Sequence, residues 1–309
     1  MEKKVLIAVD GSQASMAALE YVAMMEAAVI PELSVALLHL IPPIPPAMRQ
    51  DLERSPSSFR LLQDTERKHR ARGQEVLERA MQRLLDLGME REKIVSKFRP
   101  RGLGLAKDIL FEGEKGLYDA VVLGRRGLSK VQEMFLGSVT NKVVQHADRL
   151  PVWVVGGTVD SCKILCAVDA SEGSLKAVDH LAFMLAGNLE CRITLFHAGL
   201  GGKPPGEWKD NEEEEASPDL VRRDLSLMED FYAESRRVLA EAGLKPGQVS
   251  LVTREGRGSV WRVILEEARE GCYGTVVLGR RGEGRSYWLG HVCDKIVSRL
   301  AEAAVWVVG

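Results

Sequence analysis

One stretch of the first half, residues 123–143, concentrates glycines and hydroxyl residues in the sequence LGRRGLSKVQEMFLGSVTNKV. Gly124, Gly127 and Gly137 follow the spacing G-x2-G-x9-G, and Ser138 comes next, at the predicted start of a helix. Glycine lets the backbone approach a ligand closely, and consecutive free N–H groups in such turns form a nest for an anion. A helix N-terminus adds oriented donors and the positive end of the helix dipole. The pattern therefore predicts a binding site for a polyphosphate.

Polar side chains around this turn have chemistry that would assist such a site. Ser138 and Thr140 could donate hydroxyl groups to phosphate oxygens, and Arg125 and Arg126 would supply positive charge beside the turn. A second interpretation stays open for the arginines, because the same pair recurs later in the chain and duplication explains the repetition as easily as function does. In that case both side chains would simply be solvated.

The chain repeats itself, and the repeat defines its domains. Three segments recur in the same order: VLIAVD and ILCAVD at 5–10 and 164–169, VVLGRRG at 121–127 and 276–282, and PVWVVG and AVWVVG at 151–156 and 304–309. Such parallel series indicate a tandem duplication of a unit of about 155 residues. We expect one domain at 1–158 and a second at 159–309, joined by the short linker GTVDS at 157–161.

Strands and helices are predicted to alternate within each copy. In the first copy the predicted strands are 5–9, 33–40, 94–98, 120–123 and 152–155, and the predicted helices are 15–28, 65–87, 103–114 and 138–147. This alternation predicts an α/β fold with a doubly wound parallel sheet in each copy, covered by helices on both faces. Ligands of such sheets bind beyond the carboxyl ends of the strands, and the glycine-rich turn follows a strand in this way.

Composition excludes several classes of protein. The chain has 309 residues, of which 45% are hydrophobic and 28% charged, as is typical of folded domains. Its net charge of −2 provides no overall field to attract nucleic acid or an anionic membrane. No apolar run approaches the roughly 18–20 residues that cross a bilayer, and no signal peptide is recognised. We therefore expect a cytoplasmic protein without nucleic-acid or membrane partners.

Taken together, these motifs resemble the universal stress protein family in its tandem two-domain form. The ATP-binding members have the pattern G-x2-G-x9-G-[S/T] after the fourth strand, and Gly124, Gly127, Gly137 and Ser138 match it in full. The resemblance covers nearly the whole chain, including the first strand that ends in Asp10. It implies two tandem domains of the adenine nucleotide α-hydrolase-like fold, with ATP as the ligand.

The resemblance also implies contacts for each part of the nucleotide. Those with the adenosine are the backbone of Ala8 and Val9, the carboxylate of Asp10 and the backbone of Leu40. Those with the ribose and the phosphates are Leu123, Gly124, Arg126, Gly127, Gly137, Ser138, Val139 and Thr140. A Mg²⁺ or similar ion could bridge phosphate oxygens, because hard cations often use phosphate ligands with few protein ones. No residue is assigned a catalytic role.

The second copy departs from this pattern. The segment 279–282 repeats the first two glycines, but only seven residues separate it from Gly290, which is followed by His291 in place of a hydroxyl residue. Tyr287 and Trp288 lie in this shorter loop and could fill the pocket. We therefore expect the first domain to bind nucleotide and the second to be degenerate. An altered second site, in which His291 donates to a phosphate or another ligand, remains the alternative.

Several of these residues also have purely structural interpretations. Asp10 could cap the following helix, and we expect it both to cap the helix and to contact the ligand. His39 and His197 are expected to be structural histidines near the rim of the sheet rather than catalytic bases. Trp153 and Trp306 lie in the last strand of each copy, and the resemblance implies that those two strands pair with each other. Whole chains could associate further into a homodimer.

Three functions fit these observations. The first is a regulatory protein whose ATP occupancy biases its conformation or its partners in a stress response. The second is an ATP-using enzyme, although neither a P-loop nor a G-x-G-x-x-G or G-x-S-x-G motif is present. If ATP is hydrolysed, we expect the reaction to be slow. The third is a nucleotide-free scaffold that acts through its surfaces.

Overall fold

A computed structural model describes residues 2–44, 56–126, 136–199, 218–255, 259–281 and 289–309. The strands of the first domain are β1 Lys3–Ala8, β2 Leu33–Ile41, β3 Ile94–Pro100, β4 Ala120–Gly124 and β5 Val152–Val155. Its helices are α1 Gln13–Ala28, α2 Pro56–Asp86, α3 Leu105–Lys115 and α4 Ser138–His146. Helices and strands thus alternate as the sequence predicts.

The second domain repeats this plan. Its strands are β6 Ile164–Ala167, β7 Ile193–Gly199, β8 Val249–Glu255, β9 Thr275–Gly279 and β10 Ala304–Val308. Its helices are α5 Glu172–Leu185, α6 Pro218–Glu241, α7 Val260–Glu270 and α8 His291–Arg299. The division that we predict between residues 158 and 159 falls in the irregular connection between β5 and β6.

All ten strands belong to one sheet, with the order β3-β2-β1-β4-β5-β10-β9-β6-β7-β8. Strands are parallel within each domain, and the two halves meet through the antiparallel pair β5–β10. The predicted doubly wound α/β fold is therefore confirmed. In each half the chain order reverses next to the first strand, so that a crevice opens at the carboxyl ends of β1 and β4, and another at those of β6 and β9.

Helices cover both faces of this sheet, because the central strands are apolar on both sides. Val5, Leu6 and Ile7 of β1 have no exposed surface, and successive side chains enter opposite cores. One core packs α1, α2, α5 and α6 against the sheet, and the other packs α3, α4, α7 and α8. Each layer of helices thus runs across both domains.

Two helices begin earlier than predicted. α1 begins at Gln13 rather than Ser15, because Ser12 supplies its N-cap. α2 begins at Pro56 rather than residue 65, and none of residues 59–72 is buried. The apolar periodicity that predicts a helix comes from packing, and packing of α2 starts only near Gly73, followed by buried residues such as Val76.

A pair of stacked tryptophans marks the junction of β5 and β10, which we call the seam. Trp153 and Trp306 face each other in the strand register, with ring centroids 3.9 Å apart and planes within 1°. The Trp306 indole N–H donates to the Tyr21 hydroxyl (2.8 Å), and the Trp153 indole N–H donates to Nε2 of His180 (3.3 Å). Each tryptophan therefore bonds to the first helix of the other domain, and the expected pairing of the last strands is confirmed.

Acidification is expected to weaken the seam through His180. Its imidazole lies against both indole rings, and burial there lowers its pKa from 6.5 to about 3. Below about pH 6.5 the unfolded chain binds a proton at His180 that the folded chain excludes. The free energy of unfolding therefore has its full value above that pH, and it falls as the pH decreases toward the pKa of His180 in the folded protein. Because part of the residue is accessible to solvent, we expect a loss of about 1–2 kcal/mol between pH 7 and pH 5.

Urea unfolding at the two pH values measures this loss. The comparison is His180→Gln, in which the amide oxygen can still accept the Trp153 N–H but cannot titrate. The unaltered protein should lose more stability on acidification than this variant. Equal losses in both proteins would exclude His180 as the source.

Candidate functional site

The turn after β1 presents a carboxylate at the mouth of the first crevice. Oδ1 of Asp10 accepts a hydrogen bond from the Ser12 N–H (2.9 Å), while the Ser12 hydroxyl caps α1 by accepting from the Ser15 N–H (3.2 Å). The prediction that Asp10 caps the helix is therefore wrong, because the chain enters the helix two residues later. Within the described part of the chain, Oδ2 of Asp10 makes no hydrogen bond.

The corresponding carboxylate of the second domain is occupied by its own turn. Oδ1 of Asp169 accepts from the Ser171 N–H (3.1 Å), the Ser171 hydroxyl (2.5 Å) and the Ser174 hydroxyl (2.6 Å). In the first domain the equivalent Ser15 hydroxyl instead donates to the Ser12 carbonyl (2.9 Å). Oδ1 of Asp10 thus carries fewer hydrogen bonds from its own turn than Oδ1 of Asp169, while Oδ2 of each has no partner among the described residues.

The histidines at the ends of β2 and β7 are structural, as expected. A ring nitrogen of His39, Nδ1, donates to the Val9 carbonyl (2.8 Å), and that of His197 donates to the Val168 carbonyl (3.0 Å). The Val9 N–H in turn donates to the Leu38 carbonyl. Val9 therefore lies beside the crevice with both backbone groups already bonded, and Ala8 is half-buried at the end of β1.

Leu40 lies near the end of β2, beyond the point at which β1 stops. The Leu38 carbonyl accepts from the Val9 N–H (2.9 Å), whereas the Ile41 carbonyl accepts from the Arg101 N–H (3.0 Å) on the other side of the strand. The N–H and C=O of one strand residue point to the same side, and the side alternates between neighbours. The backbone of Leu40 therefore faces the crevice, in a position to meet the edge of a planar ring.

The glycine-rich loop is closed at its base. The Arg125 carbonyl accepts from the Gly137 N–H (2.8 Å), and the Thr140 hydroxyl donates to the Gly124 carbonyl (2.9 Å). Thr140 is buried, so its hydroxyl holds α4 against β4, and the prediction that it donates to phosphate is not supported by this geometry. Its backbone N–H remains part of the first helical turn, together with exposed Ser138 and half-buried Val139.

That first turn of α4 can accept an anion. Gly137 occupies the N-cap position and provides no side-chain cap, so the first N–H groups of the helix have no partner within it. The same end of the helix is positive because of the backbone dipoles. The turn is thus electrostatically suited to phosphate, as the spacing of the glycines predicts.

Gly124 allows α1 to approach the end of β4. A Cβ at Gly124 would lie 2.4 Å from the carbonyl carbon and oxygen of Ala14, in the first turn of α1. Since Thr140 contacts the same glycine from α4, the N-termini of both helices converge at this point. Leu123, the preceding residue, is buried in β4.

Arg125 does not serve the phosphate turn, which corrects the prediction for this residue. Only 5% of it is exposed, and its guanidinium donates to the carbonyl oxygens of Ser298 and Val297 at the end of α8, in the other domain. Burial lowers the pKa of Arg125, and the neighbouring charge of Arg126 acts in the same direction. The residue after Gly124 faces the seam, so its side chain crosses to the second domain.

Two arginines of the second domain likewise reach into the first domain. Arg280 is 2% exposed and donates to the Gln145 carbonyl and to Oδ1 of Asp148 (2.9 Å), both near the end of α4. Arg281 also donates to Asp148 (3.1 Å). Ala301 takes the place of Asp148 in the repeat. It offers no carboxylate to half-buried Arg126, the counterpart of Arg281.

The loop of the second domain also packs closely against the first turn of α5. A Cβ at Gly173, in the first turn of α5, would lie 2.1 Å from the Arg281 carbonyl oxygen, so the loop packs directly on this helix. The first domain has Ala14 at the equivalent position. His291 is exposed at the start of α8. Gly127, Gly282, Tyr287 and Trp288 lie outside the described residues, so predictions for them stay predictions.

Two features are absent from the described ranges of the chain. No group of three or more His, Cys, Asp or Glu side chains in those ranges is arranged to hold a metal ion. Across the same ranges, no helix has the length and apolar character needed to cross a membrane.

Known proteins resemble this chain over both domains. A family model described as the universal stress protein family matches residues 1–156 and again residues 162–309. Universal stress protein YxiE of Bacillus subtilis (strain 168) is 28% identical over 155 residues, which cover 50% of this chain and 99% of the relative. A universal stress protein from Archaeoglobus fulgidus DSM 4304 superposes with a TM-score of 0.62 at 20% identity, over 99% of this chain and 97% of that one. A protein from Pseudomonas aeruginosa UCBPP-PA14 superposes with a TM-score of 0.54 at 15% identity, over 99% of this chain and 93% of that one. At these identities the two structures show the fold alone.

Proposed function

The chain belongs to the universal stress protein family, and we propose on that basis that its first domain binds ATP and regulates a stress response through that binding. The second domain, in this proposal, does not bind nucleotide. The contrast between Asp10 and Asp169 is the main support. Oδ1 of Asp169 accepts three hydrogen bonds from its own turn, whereas Oδ1 of Asp10 accepts one, so the Asp10 carboxylate is the less engaged of the two among the described residues.

The crevice offers complementary chemistry to each part of ATP. The backbone of Leu40 suits the edge of the adenine, and the carboxylate of Asp10 suits the ribose hydroxyls, which are donors. Asp10 would repel the phosphates, so they belong at the positive first turn of α4. There the N–H groups of residues 138–140 and the charge of Arg126 would hold them, together with the glycines Gly127 and Gly137.

Magnesium fits this arrangement as an ion that the nucleotide brings with it. Mg²⁺ is commonly bound through substrate phosphates and water with few protein ligands. ATP with Mg²⁺ is therefore the form that we propose to bind. Its chemical contribution would be to offset the negative charge of the phosphates.

We propose regulation rather than rapid catalysis. Neither titratable side chain at these strand ends is assigned to an attacking water in this proposal, because His39 donates to the Val9 carbonyl and Asp10 is assigned to the ribose. A general base must reach an attacking water directly or through one more water. ATP turnover measured over hours, with and without Mg²⁺, would separate slow hydrolysis from binding alone.

A matched pair of variants tests which domain binds. Asp10→Asn keeps an acceptor for the Ser12 N–H but removes the negative charge, so we expect ATP affinity to fall about tenfold, as for the loss of a charged hydrogen bond. Asp169→Asn makes the same change in the second domain and should alter affinity less than about twofold. Calorimetric titration with ATP and Mg²⁺ gives both affinities and the stoichiometry, expected at one per chain.

The complementary measurement is mass spectrometry of any ligand released from the purified protein, with its molar ratio. A nucleotide at one per chain supports the proposal. Two per chain, or equal effects of the two variants, would show that the second domain is a working site. Absence of binding would instead favour the nucleotide-free scaffold.

A further inference from the structure

Arg280 joins the loop of the second domain to the phosphate-binding helix of the first. Its backbone forms the base of the second loop, since its N–H donates to the Val308 carbonyl (2.6 Å) and its carbonyl accepts from the Gly290 N–H (2.9 Å). Its side chain is 2% exposed and leaves that loop entirely, to reach Gln145 and Asp148. A displacement of the second loop would therefore be transmitted to these two residues.

Those two residues lie at the opposite end of α4 from the proposed phosphate site. The helix has nine residues and is about 13 Å long, so it moves as a short rigid unit. Thr140 holds its first turn to Gly124, and Arg280 holds its last turn through the Gln145 carbonyl. A cation at the C-terminal end also complements the helix dipole. Loss of this anchor would let the first turn tilt away from the loop.

The charge of Arg280 is balanced where it is buried. Burial lowers the pKa of Arg280, and the carboxylate of Asp148 opposes that effect. Asp148 is itself 70% exposed on its side chain, so it can approach the guanidinium without losing most of its hydration. The contact therefore joins a buried cation to a solvated acid.

The first domain returns the contact. Arg125 forms the base of the first loop, and its side chain holds the end of α8, whose own first turn follows the second loop. The two loops and the two helices thus form a closed ring of contacts: first loop to α8, α8 to second loop, second loop to α4, and α4 to first loop.

We propose that Arg280 is a positioning residue for the phosphate site of the first domain. The inference rests on the proposed ATP site. Arg280 would act without touching the nucleotide, by holding the C-terminal end of α4.

The test compares ATP with adenosine on the full-length protein. Adenosine lacks the phosphates, so a tilt of α4 should weaken ATP and leave adenosine nearly unchanged. For Arg280→Gln we expect ATP affinity to fall about tenfold, within the usual range of coupling between sites, and adenosine affinity to change less than twofold. Arg280→Lys, which keeps the charge and can still donate, should recover most of the loss.

A matched control separates positioning from general stability. Thr275→Val removes a buried hydroxyl that bonds to Tyr21 across the same interface (2.7 Å) but has no contact with α4 among the described residues. It should lower the thermal midpoint and leave both affinities unchanged. If Arg280→Gln does not fold, Asp148→Asn replaces it, since this exposed residue tolerates the change, with an expected loss of about threefold for ATP alone.

The outcomes distinguish the two proposals. An unchanged ratio of ATP to adenosine affinity in Arg280→Gln, or in Asp148→Asn if the former does not fold, would overturn the positioning role and leave the ATP site intact. Failure of the unaltered protein to bind ATP would overturn both. A loss for ATP alone, recovered by lysine and absent in Thr275→Val, supports the positioning role.

Discussion

Alanine at Gly124 is expected to weaken ATP binding by about 100-fold or more, which corresponds to about 2.7 kcal/mol. Its Cβ would lie 2.4 Å from the backbone of Ala14, so α1 or β4 must shift. One wall of the crevice is the turn with Asp10, which precedes α1, and the other is α4, whose Thr140 hydroxyl donates to the Gly124 carbonyl. The shift therefore moves the two walls apart. Calorimetric titration with ATP and Mg²⁺ measures the loss.

Gly279→Ala is the matched control in the second domain. Its Cβ would lie 2.5 Å from the carbonyl carbon of Gly173, which is nearly the same clash. Both variants should lose about 1–3 kcal/mol of unfolding free energy, the usual cost of overpacking. Gly124→Ala should lose much more nucleotide affinity than Gly279→Ala, because a shift at Gly279 reaches the phosphate turn only through the side chain of Arg280. Full affinity in Gly124→Ala, or an equal loss in both variants, would refute the assignment of the site to the first crevice.

Trp153→Ala is expected to lower the free energy of unfolding by about 3–5 kcal/mol, the range for removing a large buried aromatic side chain. Trp153 has no exposed surface, and its ring stacks on Trp306 across the seam. The variant also removes the donor to His180. Because this stack joins the two domains, the single unfolding transition expected for the unaltered chain should separate into two.

Trp261→Ala provides the comparison in denaturant unfolding. Trp261 is 7% exposed and packs on the core that involves α7 and α8, away from the stacked pair. This variant should also lose stability but should keep one transition. If Trp153→Ala cost less than about 1 kcal/mol, the stack would contribute little to holding the domains together.

The sequence predicted the fold well because its signals are local and repeated. Each central strand is a continuous apolar run, and the second copy repeats the order of the first. The first turns of α2 escaped prediction because residues 59–72 have no buried stripe to set a helical period. The pairing of the last strands across the seam depended on the family resemblance and on the position of Trp153 and Trp306, and the order of the other strands came from the structure alone.

Predictions for the candidate site were less complete, because a motif gives the type and order of residues but not the direction of their side chains. Gly124 and Gly137 do lie together, as the spacing predicts. Arg125, in the same motif, points away to a carbonyl 172 residues further along the chain. No local pattern contains such a partner. Arg281 has a carboxylate partner in Asp148, whereas Arg126 has Ala301 at the equivalent position. This difference between the two copies was the signal in the sequence that the two arginines are not equivalent.

The antiparallel pairing of β5 with β10 has a consequence for how the two copies could diverge. Halves encoded as separate polypeptides would have to find one another by diffusion, and dilution would part them. Here a linker of a few residues keeps the two halves of one chain at a high local concentration, so that each half stays paired with the other, unlike half at any dilution. Such obligatory one-to-one stoichiometry removes selection for two identical pockets, since one half can specialise while the other is retained as its permanent companion.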